Sequence, residues 1–291
     1  WQGLAQRIGG TDILQHRGCL YLYETAVAYR AAGKDMAYRR THGITVDLIG
    51  PDELVRMEPG LPPVEGGAAF FPKAVFMSDP GQMVRLLALR VLQKAGFQQY
   101  RADRLTRQLD GIIVEGPGLR LRARQVVIAA GAHSRALAAQ AGDPVPLDTE
   151  RGYHVEWDMA TPRLTRPSCP TSRGFYLCPM TGRLRVAGTV ELGGLTLPPS
   201  PHRIAKLIEG ARAIFPDLPE HSRDWMGFRP SMPDSVPVIG PSRAGADVIH
   251  AYGHGHIGLT LAPITAEIVA ALVAGKALPM DMAPYLPSRF A

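Results

Sequence analysis

The stretch from Trp225 to Gly275 constrains the chain more than any other: WMGFRPSMPDSVPVIG, then DVIHAYGHGHIGLT, then LAPITAEIVAALVAG. It reads as an arginine in a tight Pro-flanked turn (Phe228-Arg229-Pro230), a short apolar strand from Val236 to Ile239 and a second from Val248 to Tyr252. A glycine loop and a closing helix from Leu259 to Ala274 complete it. The loop Gly253-His254-Gly255-His256-Ile257-Gly258 matches G-x-G-x-x-G between an apolar strand and a helix, the context of a dinucleotide fingerprint. Only 33 residues follow Gly258, too few for the next strand and a ribose-binding acid about 20 residues on, so a Rossmann phosphate loop is rejected. The physics remains. Glycines let a backbone approach a ligand, and free N–H groups at a helix start favour negative charge. A flat, electron-rich ligand fits such a loop; so does a plain strand-turn-helix packed tightly by its glycines.

Composition is that of an ordinary globular chain of one large or two ordinary domains, 46% hydrophobic and 20% charged. The net charge of +6 is dispersed, with no basic run of four, which argues for a solvated surface and against nucleic acid while leaving contact with anionic lipid open. Cys19, Cys169 and Cys178 fall at no metal spacing and are odd in number, so reduced structural thiols and no metal are expected. No apolar run approaches 18 residues, and the start has no signal-peptide pattern.

Residues 1–72 give helix-like text, a strand pair around Gly18 to Tyr23, a helix from Ala26 to Lys34 and a helix start at Asp52, and nothing there carries chemistry by itself. Asp79 or Ser78 caps a helix with Pro80 in its first turn. Asp110-Gly111 marks a hairpin, and Val126-Val127-Ile128-Ala129-Ala130-Gly131 reads as a strand buried on both faces, leading into a helix from Ser134 to Gln140. Residues 145–235 read as an antiparallel layer: Tyr153, Val155 and Trp157 alternate with His154 and Glu156, and Thr181-Gly182 joins two further strands. A helix from about His202 to Phe215 follows.

G-F-R-P-x-x-P-D-x-x-P-V-I-G, then a strand and G-H-G-x-x-G-L-T, resembles the C-terminal signature of the D-amino acid dehydrogenase, glycine oxidase and sarcosine oxidase group of FAD-dependent amine oxidoreductases. V-V-I-A-A-G-A-x-S resembles that group's second FAD block, and the resemblance runs through most of the chain. It implies an α/β (α+β) fold, a partial FAD-binding Rossmann-like domain interleaved with an antiparallel-sheet substrate domain. The expected division is 1–74 substrate, 75–142 FAD, 143–235 substrate and 236–291 FAD. The group opens with a βαβ unit that this chain lacks, and the first residue is Trp1, so the chain is expected to be a fragment without roughly the first third of the family's length, holding FAD weakly or not at all.

On the resemblance, Arg229 binds the substrate carboxylate, a role suited to a planar bidentate fork. Tyr176 aligns with an assisting tyrosine, Tyr153 is a weaker candidate, and His256 occupies the place of a basic residue. Leu105, Ala130, Gly131 and Ala132, with Gly253, His254, Gly255, His256, Ile257, Gly258, Leu259 and Thr260, would line FAD. The group's covalent branch carries a cysteine that would fall at Gly227, so any flavin is expected to be non-covalent. The implied activity is oxidation of a D-amino acid to a 2-oxo acid and ammonia, with quinone or oxygen as electron acceptor. A glycine or sarcosine-type amine oxidase and a non-catalytic binding module are the alternatives. The expected location is cytoplasmic, with peripheral contact to the inner membrane face left open.

Overall fold

The computed structural model describes residues 1–290. Alternating apolar residues build its largest element, an eight-stranded sheet ordered Arg223–Ser231, Asp148–Asp158, Arg183–Leu192, Phe175–Met180, Ser168–Pro170, Cys19–Tyr23, Gly67–Phe71 and Asp47–Ile49. Neighbours run antiparallel except Ser168–Pro170 beside Cys19–Tyr23. The layer expected from 145–235 therefore forms, and strands from the first 72 residues extend it.

Each strand sends alternate side chains to opposite faces. Tyr153, Val155, Trp157, Leu177, Leu184 and Val186 fill one face and are sealed by Leu207, Ala211 and Phe215 of the helix Pro201–Ile214 and the residue after it. Burying each large side chain contributes about 1.5–3 kcal/mol. The other face carries His154, Glu156, Tyr176, Cys178 and Arg185 and stays open toward the second layer.

That second layer is a three-stranded sheet. Val238–Ser242 pairs antiparallel with Gly245–Tyr252, which pairs parallel with Val126–Ile128. The helix Gly258–Val273 lies against it through Ile268, with Ile239 and Met282. An antiparallel meander, Arg104–Gln108, Gly111–Gly116 and Leu119–Ala123, shares a core with it through Ile112, Ile128 and Val248. The helix Pro80–Leu92 begins as read: Asp79 Oδ1 accepts from Gln82 N at 2.9 Å.

Three readings change. Arg229 sits in a strand, because Arg223–Ser231 is an edge strand and an edge tolerates the missing N–H of Pro230. The strand Val126–Ile128 is not buried on both faces: it too is an edge, and Val127 is 39% exposed. Finally, Gly255–Val273 is long and apolar enough by length and composition to cross a membrane, with a mean hydropathy of 1.7, although Thr260, Thr265 and Glu267 break any unbroken run. Little of that segment is buried within the chain.

Candidate active site

Two parallel strands end side by side, and a glycine turn follows each: Gly253 directly after Tyr252, and Gly131 after Ala129 and Ala130. His250 of Gly245–Tyr252 is level with Ile128 of Val126–Ile128, so Gly253 and Gly131 turn the chain at the same end of the sheet. The turns need left-handed backbone, φ 87° at Gly253, 51° at Gly255 and 56° at Gly131, which glycine adopts without a Cβ penalty. The short helical turns that follow, Gly131–His133 and Gly255–Ile257, both pack on the strand Arg223–Ser231. Carboxyl ends of parallel strands, two glycine turns and Arg229 thus meet in one place.

The helix Gly258–Val273 starts there with no side-chain cap and no acid in its first turn. Its first N–H groups are left for a ligand, and the dipole favours negative charge. Leu259 and Thr260 of this turn line a cavity of about 850 Å³ whose far wall includes Cys178, Arg185 and Ala187 on the open face of the large sheet. Ala129 and Ala130 at the neighbouring strand end are exposed, and Ala132 is buried. His254 points away from the cavity's chemistry. Its Nε2 lies 3.0 Å from Thr265 Oγ1, and burial lowers its pKa, so the ring is neutral at pH 7.

Arg229 lies flat on the open face. Gly152 makes that possible, since an added Cβ there would run into the guanidinium. Nη1 donates to the carbonyl of Thr189 at 3.2 Å, the only hydrogen bond its side chain makes among the described residues. Thr189 holds that carbonyl in place with a backbone φ of 59°, a conformation that costs a non-glycine residue about 1–3 kcal/mol. No carboxylate pairs with Arg229 among the described residues, and burial lowers its pKa from the ordinary value while the field of Glu150 partly offsets this. A guanidinium remains charged across the useful pH range, so the face presents a fixed cation with free donors.

Tyr176 is on the same face, 36% exposed, with its hydroxyl 3.0 Å from that of Tyr21. The sequence did not show this pair of phenols, because strand pairing brings it together from positions 155 residues apart. Burial, then the Tyr21 hydrogen bond, raises the Tyr176 pKa, which keeps the phenol protonated. Burial pushes the Cys178 and Cys19 thiols up to about 12, so the sulfurs on this face are neutral. His154 stacks under Trp225 at 5.2 Å, and burial first, then Arg185, lowers its pKa to about 4. Trp225 in turn covers Gly227, where any side chain would strike the indole. Beside them Glu156 is buried among Arg183 Nε at 3.1 Å, Arg185 at 2.7 Å and Arg223 at 3.4 Å; burial opposes ionisation, yet the hydrogen bonds from Arg185 and Arg183 lower its pKa.

Two sequence candidates fall elsewhere. Tyr153 points to the covered face: it is 2% exposed, its hydroxyl donates to Glu191 Oε2 at 2.5 Å and accepts from Ser200 N at 3.0 Å. Period-two alternation places it opposite Gly152 and His154. Leu105 is 9% exposed in the meander core, and its N–H donates to Gln140 Oε1 at 2.8 Å, so it offers a ligand little surface and no free donor. His256 does join the site, 2.9 Å from Glu150 Oε2. Glu150, Gly152 and Thr189 were invisible as site residues, because their roles depend on cross-strand register.

Comparison with known proteins agrees with this geometry. Residues 1–272 match the model of the DAO family, FAD dependent oxidoreductase. The chain is 34% identical over 300 residues to a D-amino-acid oxidase of Bradyrhizobium diazoefficiens, covering 99% of this chain and 70% of that protein. It is 29% identical over 284 residues to D-amino acid dehydrogenase 2 of Mesorhizobium japonicum, covering 91% of this chain and 66% of that one. The crystal structure of glycine oxidase from Geobacillus kaustophilus superposes with a TM-score of 0.86 at 26% identity, covering 99% of this chain and 79% of that one. The fold, the paired glycine turns and these matches together show that the chain belongs to the FAD-dependent oxidoreductases of the DAO family.

Proposed function

We propose that the chain supplies the substrate-binding face and the C-terminal FAD-binding segment of an enzyme that oxidises D-amino acids to 2-oxo acids and ammonia. The observation that carries this reading is the unpaired, partly buried Arg229 guanidinium, held over Gly152 on an open sheet face that also carries two hydrogen-bonded phenols. The relatives named D-amino-acid oxidase and D-amino acid dehydrogenase support the choice of substrate.

FAD, the family's cofactor, fits the residues present. The uncapped start of the helix Gly258–Val273 offers N–H groups to an electron-rich ring edge, the cavity has room for a flat ring system, and the glycine turns admit close approach. Gly253 to Thr260, with Ala130 to Ala132, would hold it, and when bound it accepts the hydride from the substrate Cα. The rest falls to side chains of this chain. Arg229 takes the α-carboxylate through its fork, and Tyr176 donates to the same group or closes over it. Their geometry fixes where Cα sits, which is the main contribution of positioning to rate. The cations on this face, Arg229 and Arg185, also disfavour an ammonium and so favour the neutral amine that must be present before hydride leaves. Neutral His154 and the Trp225 indole form an apolar wall for a substrate side chain.

The likeness to glycine oxidase supports a second reading, a small or secondary amine as substrate, with the small side chain of Ala187 on the cavity wall leaving room there. Incubation with FAD, desalting and anaerobic addition of single amino acids separates the two. D-enantiomers with side chains should bleach the flavin. Bleaching by glycine or sarcosine alone would favour the second reading, and bleaching by L-enantiomers alone would overturn both.

A further inference from the structure

Arg229 has an acidic neighbour that does not pair with it. In the antiparallel register Glu150 stands directly opposite Arg229 and on the same face. Opposite charges so placed ordinarily attract each other across the strands. Here the Glu150 carboxylate turns away: Oε2 lies 2.9 Å from His256 Nε2 and accepts from Ser231 Oγ at 3.1 Å. His256 comes from the glycine turn Gly255–Ile257 and Ser231 from the end of the arginine's own strand. On the arginine's other side, the Thr189 carbonyl and the bare floor at Gly152 draw the guanidinium away from Glu150.

We propose that His256 and Ser231 form a clasp that holds Glu150 off Arg229, so that Glu150 is a built-in competitor for the substrate carboxylate and His256 is a positioning residue that suppresses it. The inference rests on Arg229 as the carboxylate anchor. With the clasp closed, both guanidinium edges not used by Thr189 remain open to a ligand. With it open, the Glu150 carboxylate reaches the same fork that the substrate needs, and the substrate must displace it. His256 also belongs to the glycine turn against which the cofactor would lie, so the clasp couples the shape of that turn to the availability of Arg229.

The test has two readouts: the dissociation constant of propionate by calorimetry, which reports the carboxylate alone and needs no flavin, and KM for D-alanine in the FAD-loaded protein. His256→Ala should weaken both by about tenfold, because a released carboxylate a few ångströms away competes with the ligand. Glu150→Gln, which keeps the hydrogen bonds and removes the charge, should tighten both by about threefold. The double variant should return to the wild-type value or below it. A rescue of this kind is not expected of a merely structural histidine. If the His256→Ala loss persists in the double variant, or if Glu150→Gln weakens propionate, the clasp is overturned while the anchor stands. If Arg229→Leu leaves propionate binding unchanged, the anchor itself falls and the clasp with it.

Discussion

The two faces of the eight-stranded sheet are one residue apart along every strand and have opposite fates. On the Asp148–Asp158 strand, Tyr153, Val155 and Trp157 are nearly inaccessible, and every polar atom of Tyr153 and Trp157 is satisfied internally. Gly152 and His154, their immediate neighbours, belong to a face that carries an unpaired arginine, an exposed tryptophan and two phenols. The covered face keeps the polar atoms of its aromatic rings paired, although Thr149 Oγ1 and Arg151 Nε on the same face have no partner among the described residues. The open face leaves donors unspent, holds Thr189 in a costly conformation and removes side chains where packing would want them. Unspent hydrogen-bonding capacity at a strained position is the mark of a surface that awaits a ligand.

Substitutions sharpen the contrast, and the largest effect belongs to the covered face. Trp157→Ala should cost about 3–5 kcal/mol of stability by opening a cavity, with KM unchanged in the protein that still folds; equilibrium denaturation with steady-state kinetics checks both. On the open face Arg229→Leu should do the reverse. KM for a D-amino acid should rise about a hundredfold, equivalent to about 2.7 kcal/mol, while stability holds or improves because an unpaired, partly buried charge is gone. A substitution at Arg229 that destabilised the fold and spared KM would erase the distinction between the faces.

Acid separates the faces as well. The His154 pKa is depressed from the ordinary value to about 4, so the unfolded chain takes up this proton first as pH falls. Its contribution is fully present above about pH 6.5, is lost between there and about pH 4, and is worth about 2 kcal/mol once allowance is made for residual solvent access. His154→Gln should flatten that part of the curve of stability against pH. The smallest effects come from the tyrosines. Tyr153→Phe should cost about 1–2 kcal/mol of stability, with Glu191 and Ser200 losing a partner and KM unmoved. Tyr176→Phe should leave stability within about 0.5 kcal/mol and raise KM several-fold.

Much of this was legible in the sequence, for identifiable reasons. Period-two alternation announced the sheet and the opposition of Tyr153 to His154, Asp79-Pro80 announced a helix start, and the glycines of 253–258 announced a turn that admits a ligand. Arg229 was found by its motif, but its setting was misread: Pro230 suggested a turn, whereas an edge strand accommodates it. Glu150, Thr189 and Tyr21 could not be found. Glu150 matters because it faces Arg229 across two strands, Thr189 because of a backbone angle no residue type signals, and Tyr21 because a parallel pairing brings strands about 150 residues apart into line. Local periodicity sets elements, and long-range register sets sites.

The central claim is that the open face binds an amino-acid carboxylate through Arg229 for oxidation by FAD. Its most direct test is anaerobic titration of D-alanine into the FAD-loaded protein and its Arg229→Leu variant, following loss of flavin absorbance. The account predicts bleaching in both, with half-saturation about a hundredfold higher in the variant. Equal half-saturation in the two proteins would contradict it.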